Sequence, residues 1–477
     1  MKRIGIVGAG ISGLVAAWTL KRAQPDASIA LFEASDRIGG VIQTQTDPYL
    51  IEWGADNFGT LVPDALHLVR EMGLESEFIG PKKDFRIAQV VHRGRLVPIP
   101  SGFSLMQPTR IGSILATPLL SVGGKLRVLA ERWIPRRRDT SDESVADFAI
   151  RRLGRECYQR LVEPIVGGIF TARAETLSMQ AAMPQFVAME REYGSLIRAA
   201  QIQRRERSSQ TRSAQHASGA RYDQFIAPRR GMSWWMGELA NPIREHLHLK
   251  TRVASIRRAE DGVWVVQSIA TDTGESRVWR FDQLCMATPS YVAAELLAGT
   301  DPVLADELAR IPYASSAIAV LGVRKEEIRP DAFCFGAIVP AIEHRDCLAI
   351  SLTSEKYEGR CPSDLVLARV FLGGAVRSEL VDESDASLLV RAKRELQALF
   401  GPSSPPVYET LIRWPRSMPQ YLVGHPQRVV AILDRVARLQ GLELIGNAYD
   451  GVGIPQCVRG ARNAVQRMAK RCGTLEQ

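Results

Sequence analysis

IGIVGAGISG, residues 4–13, is the stretch from which the rest of the chain is read. Residues 4–7 are apolar and β-prone, as in a short buried strand, and residues 14–23 have the composition of a helix. Between them stand Gly8, Ala9, Gly10, Ile11, Ser12 and Gly13, a G-x-G-x-x-G in the strand–turn–helix setting that gives the motif its meaning. Gly8 allows a tight turn, Gly10 lets the backbone approach a diphosphate, and Gly13 lets the helix pack close to the strand. The helix N-terminus then offers unpaired N–H groups and a partial positive charge to an anion. A second apolar run, residues 28–32, ends at Glu33. An acid at about this spacing accepts hydrogen bonds from ribose hydroxyls and repels a 2′-phosphate. The pattern predicts an adenine dinucleotide without a 2′-phosphate, FAD or NAD, on a Rossmann-type fold.

The bulk composition agrees with a folded protein of more than one domain. The 477 residues are 45% hydrophobic and 24% charged, with a formal charge of +9, and a chain of this length usually divides its core. The basic excess leaves three partners in play, namely nucleic acid, anionic lipid or an acidic small substrate. No basic cluster falls in a nucleic-acid module, so nucleic acid is not expected. The seven cysteines, Cys157, Cys285, Cys334, Cys347, Cys361, Cys457 and Cys472, form no C-x-x-C pair. That points to a reducing, cytoplasmic setting and away from disulfides or zinc. No secretory leader and no run of about 20 apolar residues is read, so a membrane contact would be peripheral, at the inner face of the cell membrane.

Further along, residues 51–57 (IEWGADN) supply a second glycine turn after a strand, and residues 63–72 have helical periodicity. Residues 90–100 read as strands around a turn at 93–95. Residues 102–133 alternate apolar patches with basic residues and close on RRR at 136–138, which suits either an interfacial element or a helical core segment with a solvated charge run. Residues 203–221 are polar and rich in Ser, Arg and Gln, and are expected to be a mobile loop or an inter-domain linker. Residues 247–256 and 262–269 alternate like a hairpin, 283–288 read as a buried strand, 317–371 as strand-rich, and 386–400 as a helix. Near the end, a strand at 442–445, a glycine-rich turn at 446–455 and a helix over 457–471 repeat the opening arrangement. The nucleotide domain is therefore expected to be discontinuous.

Residues 33–40, EASDRIGG, match the E-x-x-x-R-x-G-G extension of the two-dinucleotide-domain flavoproteins. In that reading Gly39 and Gly40 admit the flavin and Arg37 neutralises the diphosphate. A single dinucleotide fingerprint favours FAD as sole cofactor, reoxidised by oxygen or a quinone. Over nearly its full length the chain resembles the protoporphyrinogen oxidase family of flavoenzymes. The matching segments are 163–179 (EPIVGGIFTARAETLSM), 190–196 (EREYGSL), 335–340 (FGAIVP), 371–374 (FLGG), 419–425 (PQYLVGH) and 446–457 (GNAYDGVGIPQC). Ala172-Arg173 stands where the family usually has Gly-Asp.

The resemblance implies an α/β chain with a discontinuous Rossmann-type FAD domain (residues 1–84, 222–297 and 412–477). It adds an α+β substrate domain (85–99 and 298–411) and a helical, membrane-facing subdomain (100–221). It implies FAD contacts at Gly8, Ala9, Gly10, Ile11, Ser12, Gly13, Glu33, Ala34, Arg37, Gly39, Gly40 and Val41. Further contacts are implied at Gly54, Ala55, Asp56, Asn57, Val253, Trp414, Gly451, Val452 and Gly453. For substrate it implies Gly168, Gly336, Ile338 and Phe371 around a flat tetrapyrrole, and Arg86 on a propionate, with Arg93 or Arg95 as alternatives. The implied activity is oxidation of protoporphyrinogen IX to protoporphyrin IX by repeated hydride transfer to flavin N5, with no metal and no acid–base triad. Molecular oxygen is the implied acceptor. Coproporphyrinogen III oxidation, a flavin amine oxidase and a non-catalytic flavin or porphyrin carrier are the alternatives. A membrane surface, hand-over to a ferrochelatase and a homodimer complete the expected partners.

Overall fold

The computed structural model describes residues 2–84, 87–210 and 224–470, and these form two compact units. The first comprises residues 1–79, 226–312 and 425–477. Its centre is a parallel five-stranded sheet in the order Leu247–His248, Ser28–Phe32, Arg3–Val7, Gln283–Met286, Leu442–Leu444. Strands buried on both faces need not alternate, and Ile4, Ile6, Leu31 and Leu284 are fully enclosed. Helix Ile11–Ala23 follows the first strand, and helix Ile454–Lys470 packs against it. The two helices share a core that includes Leu14, Ala17, Val458, Ala461 and Val465. Both ends of the sequence thus meet in one core. A separate antiparallel sheet, Thr251–Arg258, Trp264–Ala270 and Ser276–Phe281, belongs to the same unit.

The second unit comprises residues 80–225 and 313–424. Its sheet has seven strands in the order Tyr408–Pro419, Tyr313–Arg324, Leu365–Gly373, Cys347–Leu352, Gly336–Ile338, Ala88–His92, Arg95–Pro98. Helix Asp385–Phe400 covers one face, where Ala337, Ile350, Val370 and Leu372 join Leu388, Leu396 and Phe400 in a closed core. The helices of residues 111–210 belong to this unit too. Glu131 and Arg152, both fully buried and paired, anchor them. Glu131 also accepts the N–H groups of Leu196 and Ile197, at 2.8 and 3.1 Å, and so caps helix Leu196–Gln210.

Several expectations need correcting. Residues 203–210 are helical rather than loop, because the helix is held at its start by buried Leu196, Ile197, Ala199 and Ala200 and needs no apolar residues at its far end. The rest of the expected loop lies outside the described residues. Leu247–His248 joins the parallel sheet instead of the hairpin, whose strand begins at Thr251. The units change over at 79/80, 225/226, 312/313 and 424/425 rather than after 84, 221, 297 and 411. The last shift is forced by strand Tyr408–Pro419, which pairs along Tyr313–Arg324 and cannot be divided at 412. The helical residues 100–221 form no unit of their own. No described helix is long and apolar enough to cross a membrane, although Leu115, Val122, Leu126 and Trp133 are exposed.

Candidate nucleotide site and macrocycle face

In the first unit the glycine turn has the shape a diphosphate requires. Gly8 has φ +101°, and a Cβ there would sit 2.6 Å from the Ala287 carbonyl oxygen. A Cβ at Gly13 would collide with the Gly8 carbonyl oxygen, so packing alone demands glycine there. Gly10 differs. A Cβ at Gly10 would meet no protein atom within 4 Å, so the bare side of the turn is not explained by packing. Helix Ile11–Ala23 has no acid in its first turn and no side-chain cap, and its Leu14 N–H bonds Gly10 at 3.0 Å. The N–H groups ahead of that bond are left for an anion. These residues fit a dinucleotide diphosphate.

Glu33 stands at the end of the adjacent strand. One carboxylate oxygen accepts the Ala9 N–H at 2.9 Å, and the other accepts from the Ser35 N–H and hydroxyl at 3.0 and 2.8 Å. The oxygen that takes the Ala9 N–H keeps a lone pair, and the carboxylate is fixed beside the turn as a ribose acceptor must be. The Thr251 N–H donates to the Glu33 carbonyl at 2.8 Å, which brings the strand bearing buried Val253 and Ile256 to the same place. Gly39 donates to Ala9 at 2.8 Å, and Gly10 and Gly39 pair as a parallel bridge. A Cβ at Gly54 would strike the Val41 carbonyl, so the turn at Gly54, Ala55, Asp56 and Asn57 lies against the Gly39–Gly40–Val41 segment. Arg37 braces the same segment. Its guanidinium donates to the carbonyls of Gly40 at 2.7 Å and Ile38 at 3.3 Å, and so holds the glycine pair in shape.

The closing turn belongs to the same constellation. Gly451 has φ +114°, a backbone conformation costly for other residues, and Cys457 N–H bonds Gly453 at 3.0 Å to start the last helix. The Ser12 hydroxyl hydrogen-bonds the Cys457 side chain, and burial pushes this thiol up to about 11. Two helix N-termini, one after Gly10 and one after Gly453, are thereby joined through their first turns.

The second unit holds the residues expected around the tetrapyrrole. Pairing is direct across four strand boundaries: Ile338 with Ala349, Ala349 with Phe371, Phe371 with Ile318, and Ile318 with Ile412. Residues opposite one another in antiparallel strands share a face, so Ile338 and Phe371 project from the same side with Ala349 between them. That side is half-open. Ile338, Ala349 and Phe371 are partly exposed, while their neighbours Ala337, Ile350 and Val370 are at most 1% exposed on the covered side. Gly336 pairs with Ser351, and a Cβ there would strike the Ile350 carbonyl, so its glycine answers to the neighbouring strand. Gly168 lies on helix Glu163–Phe170, and a Cβ there would make ordinary contact with Ile338 Cγ2 at 3.7 Å. The helix therefore borders the row at the Ile338 end. Trp414 belongs to the same sheet, paired with Ser316.

Arg86 lies outside the described residues. Arg93 and Arg95 are exposed in a hairpin turn, where the N–H groups of Arg93 and Gly94 bond Glu343 at 2.7 and 3.0 Å. Arg173, the departure from the family pattern, donates to the carbonyls of Ala375 at 2.8 Å and Val376 at 3.4 Å and braces the turn after Phe371. Two residues escaped the reading of the sequence. Arg369, 2% exposed, places its guanidinium 5.0 Å from the Phe371 ring centre. Glu163, at the start of the bordering helix, accepts the Ala341 N–H at 3.1 Å. Burial, with help from Glu175, pushes Glu163 up to about 7. An arginine two residues before the aromatic wall was the available signal for the first, and an acid opening EPIVGG for the second.

Among known proteins, the family profile described as flavin containing amine oxidoreductase matches residues 11–469. The chain is 30% identical to the coproporphyrinogen III oxidase of Propionibacterium freudenreichii subsp. freudenreichii over 97% of this chain and 90% of that one. It is 28% identical to the chloroplastic protoporphyrinogen oxidase 1 of Arabidopsis thaliana, covering 96% and 86%. A crystal structure of a provisionally named protoporphyrinogen oxidase from Exiguobacterium sp. 255-15 superposes with a TM-score of 0.84 at 26% identity, covering 98% of this chain and 99% of that one.

Proposed function

Because the chain belongs to the flavin-containing amine oxidoreductase family, whose cofactor is FAD, we propose that it oxidises a porphyrinogen to the corresponding porphyrin in haem synthesis. The observation that carries this reading is the in-register row of Ile338, Ala349 and Phe371 on a half-open sheet face. An aliphatic and an aromatic wall without charged groups in the row suit the apolar pyrrole faces of a large tetrapyrrole. When bound, FAD accepts two electrons from a C–H bond as hydride, and three such oxidations convert a porphyrinogen to a porphyrin. The protein's own part is then to hold the ring and exclude water, with Glu33, the Gly10 turn and the Gly451 turn fixing the cofactor.

Protoporphyrinogen IX is the substrate the motifs suggest. Coproporphyrinogen III is supported by the relative at 30% identity, against 28% for the protoporphyrinogen oxidase. Oxygen is the proposed acceptor, since one dinucleotide fingerprint leaves no second site for a nicotinamide reductant. Exposed Val122, Leu126 and Trp133 beside Arg132 and Arg136 support a peripheral membrane contact. The test compares the two porphyrinogens by the fluorescence of their oxidised products, in air and under argon. Turnover of one of them with oxygen uptake is expected. Failure to oxidise either, with flavin bound, would overturn the reading.

A further inference from the structure

We infer that Ala349 is the floor of a slot that admits the macrocycle on edge, and that its small side chain sets what the site accepts. The inference rests on the porphyrinogen reading above and adds to it a residue that no motif singles out. Ile338 and Phe371 are separated by two strand spacings, about 9.6 Å between backbones. A flat ring in van der Waals contact on both faces needs about 7–8 Å between the flanking atoms. The walls are therefore the right distance apart for one flat pyrrole ring of the macrocycle to stand between them once side chains lean inward. The residue between the walls must be small if that space is to admit a ring. Ala349 contributes a single methyl group.

The strand that carries Ala349 is built to present it. The pairing with Leu365–Gly373 slips by one residue between Cys347 and Ala349, leaving Leu348 as the extra residue of a β-bulge. Cys347 pairs with Leu372 on the covered face and Ala349 with Phe371 on the open one. Without the bulge the alternation would already put Ala349 and Cys347 on one side, and the register on either side of Leu348 could not serve both faces. Leu348 is spent at the margin. A Cβ on Gly374 would come within 3.0 Å of its Cδ1 and 3.3 Å of the Thr171 carbonyl. The helix end at Thr171 and the turn at Gly374 are joined by the Ala375 N–H to Thr171 at 2.9 Å. The bulge thus closes the slot at one margin while leaving its floor low.

The test is a graded series, Ala349→Val and Ala349→Leu, on the FAD-loaded protein. The probes are coproporphyrin III and protoporphyrin IX, titrated by absorbance, with turnover of the matching porphyrinogens measured alongside. Flavin content and melting temperature close to those of the unsubstituted protein are expected, since the face is open. Macrocycle affinity should fall at least 10-fold for Val and at least 100-fold for Leu, with kcat/KM following. The Val variant keeps the test usable if Leu impairs folding. Unchanged binding and turnover in both variants would overturn the slot while leaving the porphyrinogen reading intact. An unsubstituted protein that neither binds nor oxidises any of these macrocycles would overturn both.

Discussion

The Glu33 carboxylate accepts the backbone N–H of Ala9 at 2.9 Å, so the acid that ends the second strand is tied to the turn that follows the first. The bond orients the side chain before any ribose arrives. A fixed acceptor loses less entropy on binding than a free one. Replacing Glu33 by Leu removes charge-assisted hydrogen bonds worth about 1.5–3 kcal/mol. We expect flavin affinity to fall by about 10- to 100-fold, read by titrating FAD into the apoprotein, and the Glu33→Gln variant to lose less.

Gly10 and Gly13 make opposite demands, and alanine separates them. At Gly13 a methyl group meets the Gly8 carbonyl, so Gly13→Ala should lower the melting temperature of the apoprotein by several degrees. At Gly10 the methyl group meets no protein atom within 4 Å. Gly10→Ala should leave the apoprotein's melting temperature within about 2 °C, yet purify with little flavin, because the methyl stands where the diphosphate must approach. Equal flavin content in Gly10→Ala and the unsubstituted protein would show that this side of the turn is not the cofactor's.

The contrast shows which parts of the molecule a sequence can reveal. Gly8, Gly10, Gly13 and Glu33 act within one strand–turn–helix unit, where spacing along the chain is spacing in space, and their arrangement was legible. The pairing of the two chain ends was legible only as a repeated pattern, which the shared core of Leu14 and Val458 explains. Ile338 and Phe371 were named through the family resemblance, but the row that joins them through Ala349 was not legible. It depends on a register between strands with a bulge in one of them, and no local periodicity reports a bulge. The helix through residues 203–210 was hidden for another reason: its anchoring residues lie at the other end, and Glu131, more than 60 residues earlier, caps it.

Glu163 should leave a trace in the dependence of stability on pH. Its carboxyl rises from 4.5 to about 7 in the folded protein. A raised carboxyl favours the fold while protonated, so this contribution is whole below pH 4.5 and is lost as pH rises to about 7. Glu163→Gln keeps an oxygen for the Ala341 N–H and removes the ionisation. The variant should melt close to the unsubstituted protein at pH 4.5 and a few degrees above it at pH 8. A difference that is constant across this range would mean that the carboxyl titrates normally.

Ile338 and Phe371 offer a test that separates folding from binding. They face the same way but stand two strands apart with Ala349 between them, so neither wall packs on the other. Truncations at residues that do not touch change stability independently. Ile338→Ala and Phe371→Ala should therefore add in melting temperature, with the larger loss at Phe371, whose ring also carries the Arg369 guanidinium 5.0 Å from its centre. Binding obeys a different rule. A ring gripped on both faces loses most of its hold when either wall goes, because it is then free to tilt into the space left. Each single variant should weaken coproporphyrin or protoporphyrin binding by about 10-fold, in keeping with about 1.5 kcal/mol for an aromatic or aliphatic contact of this size. The double variant should lose clearly less than the product of the two. Additive binding losses would mean that the two side chains hold the macrocycle separately, or that it does not lie between them.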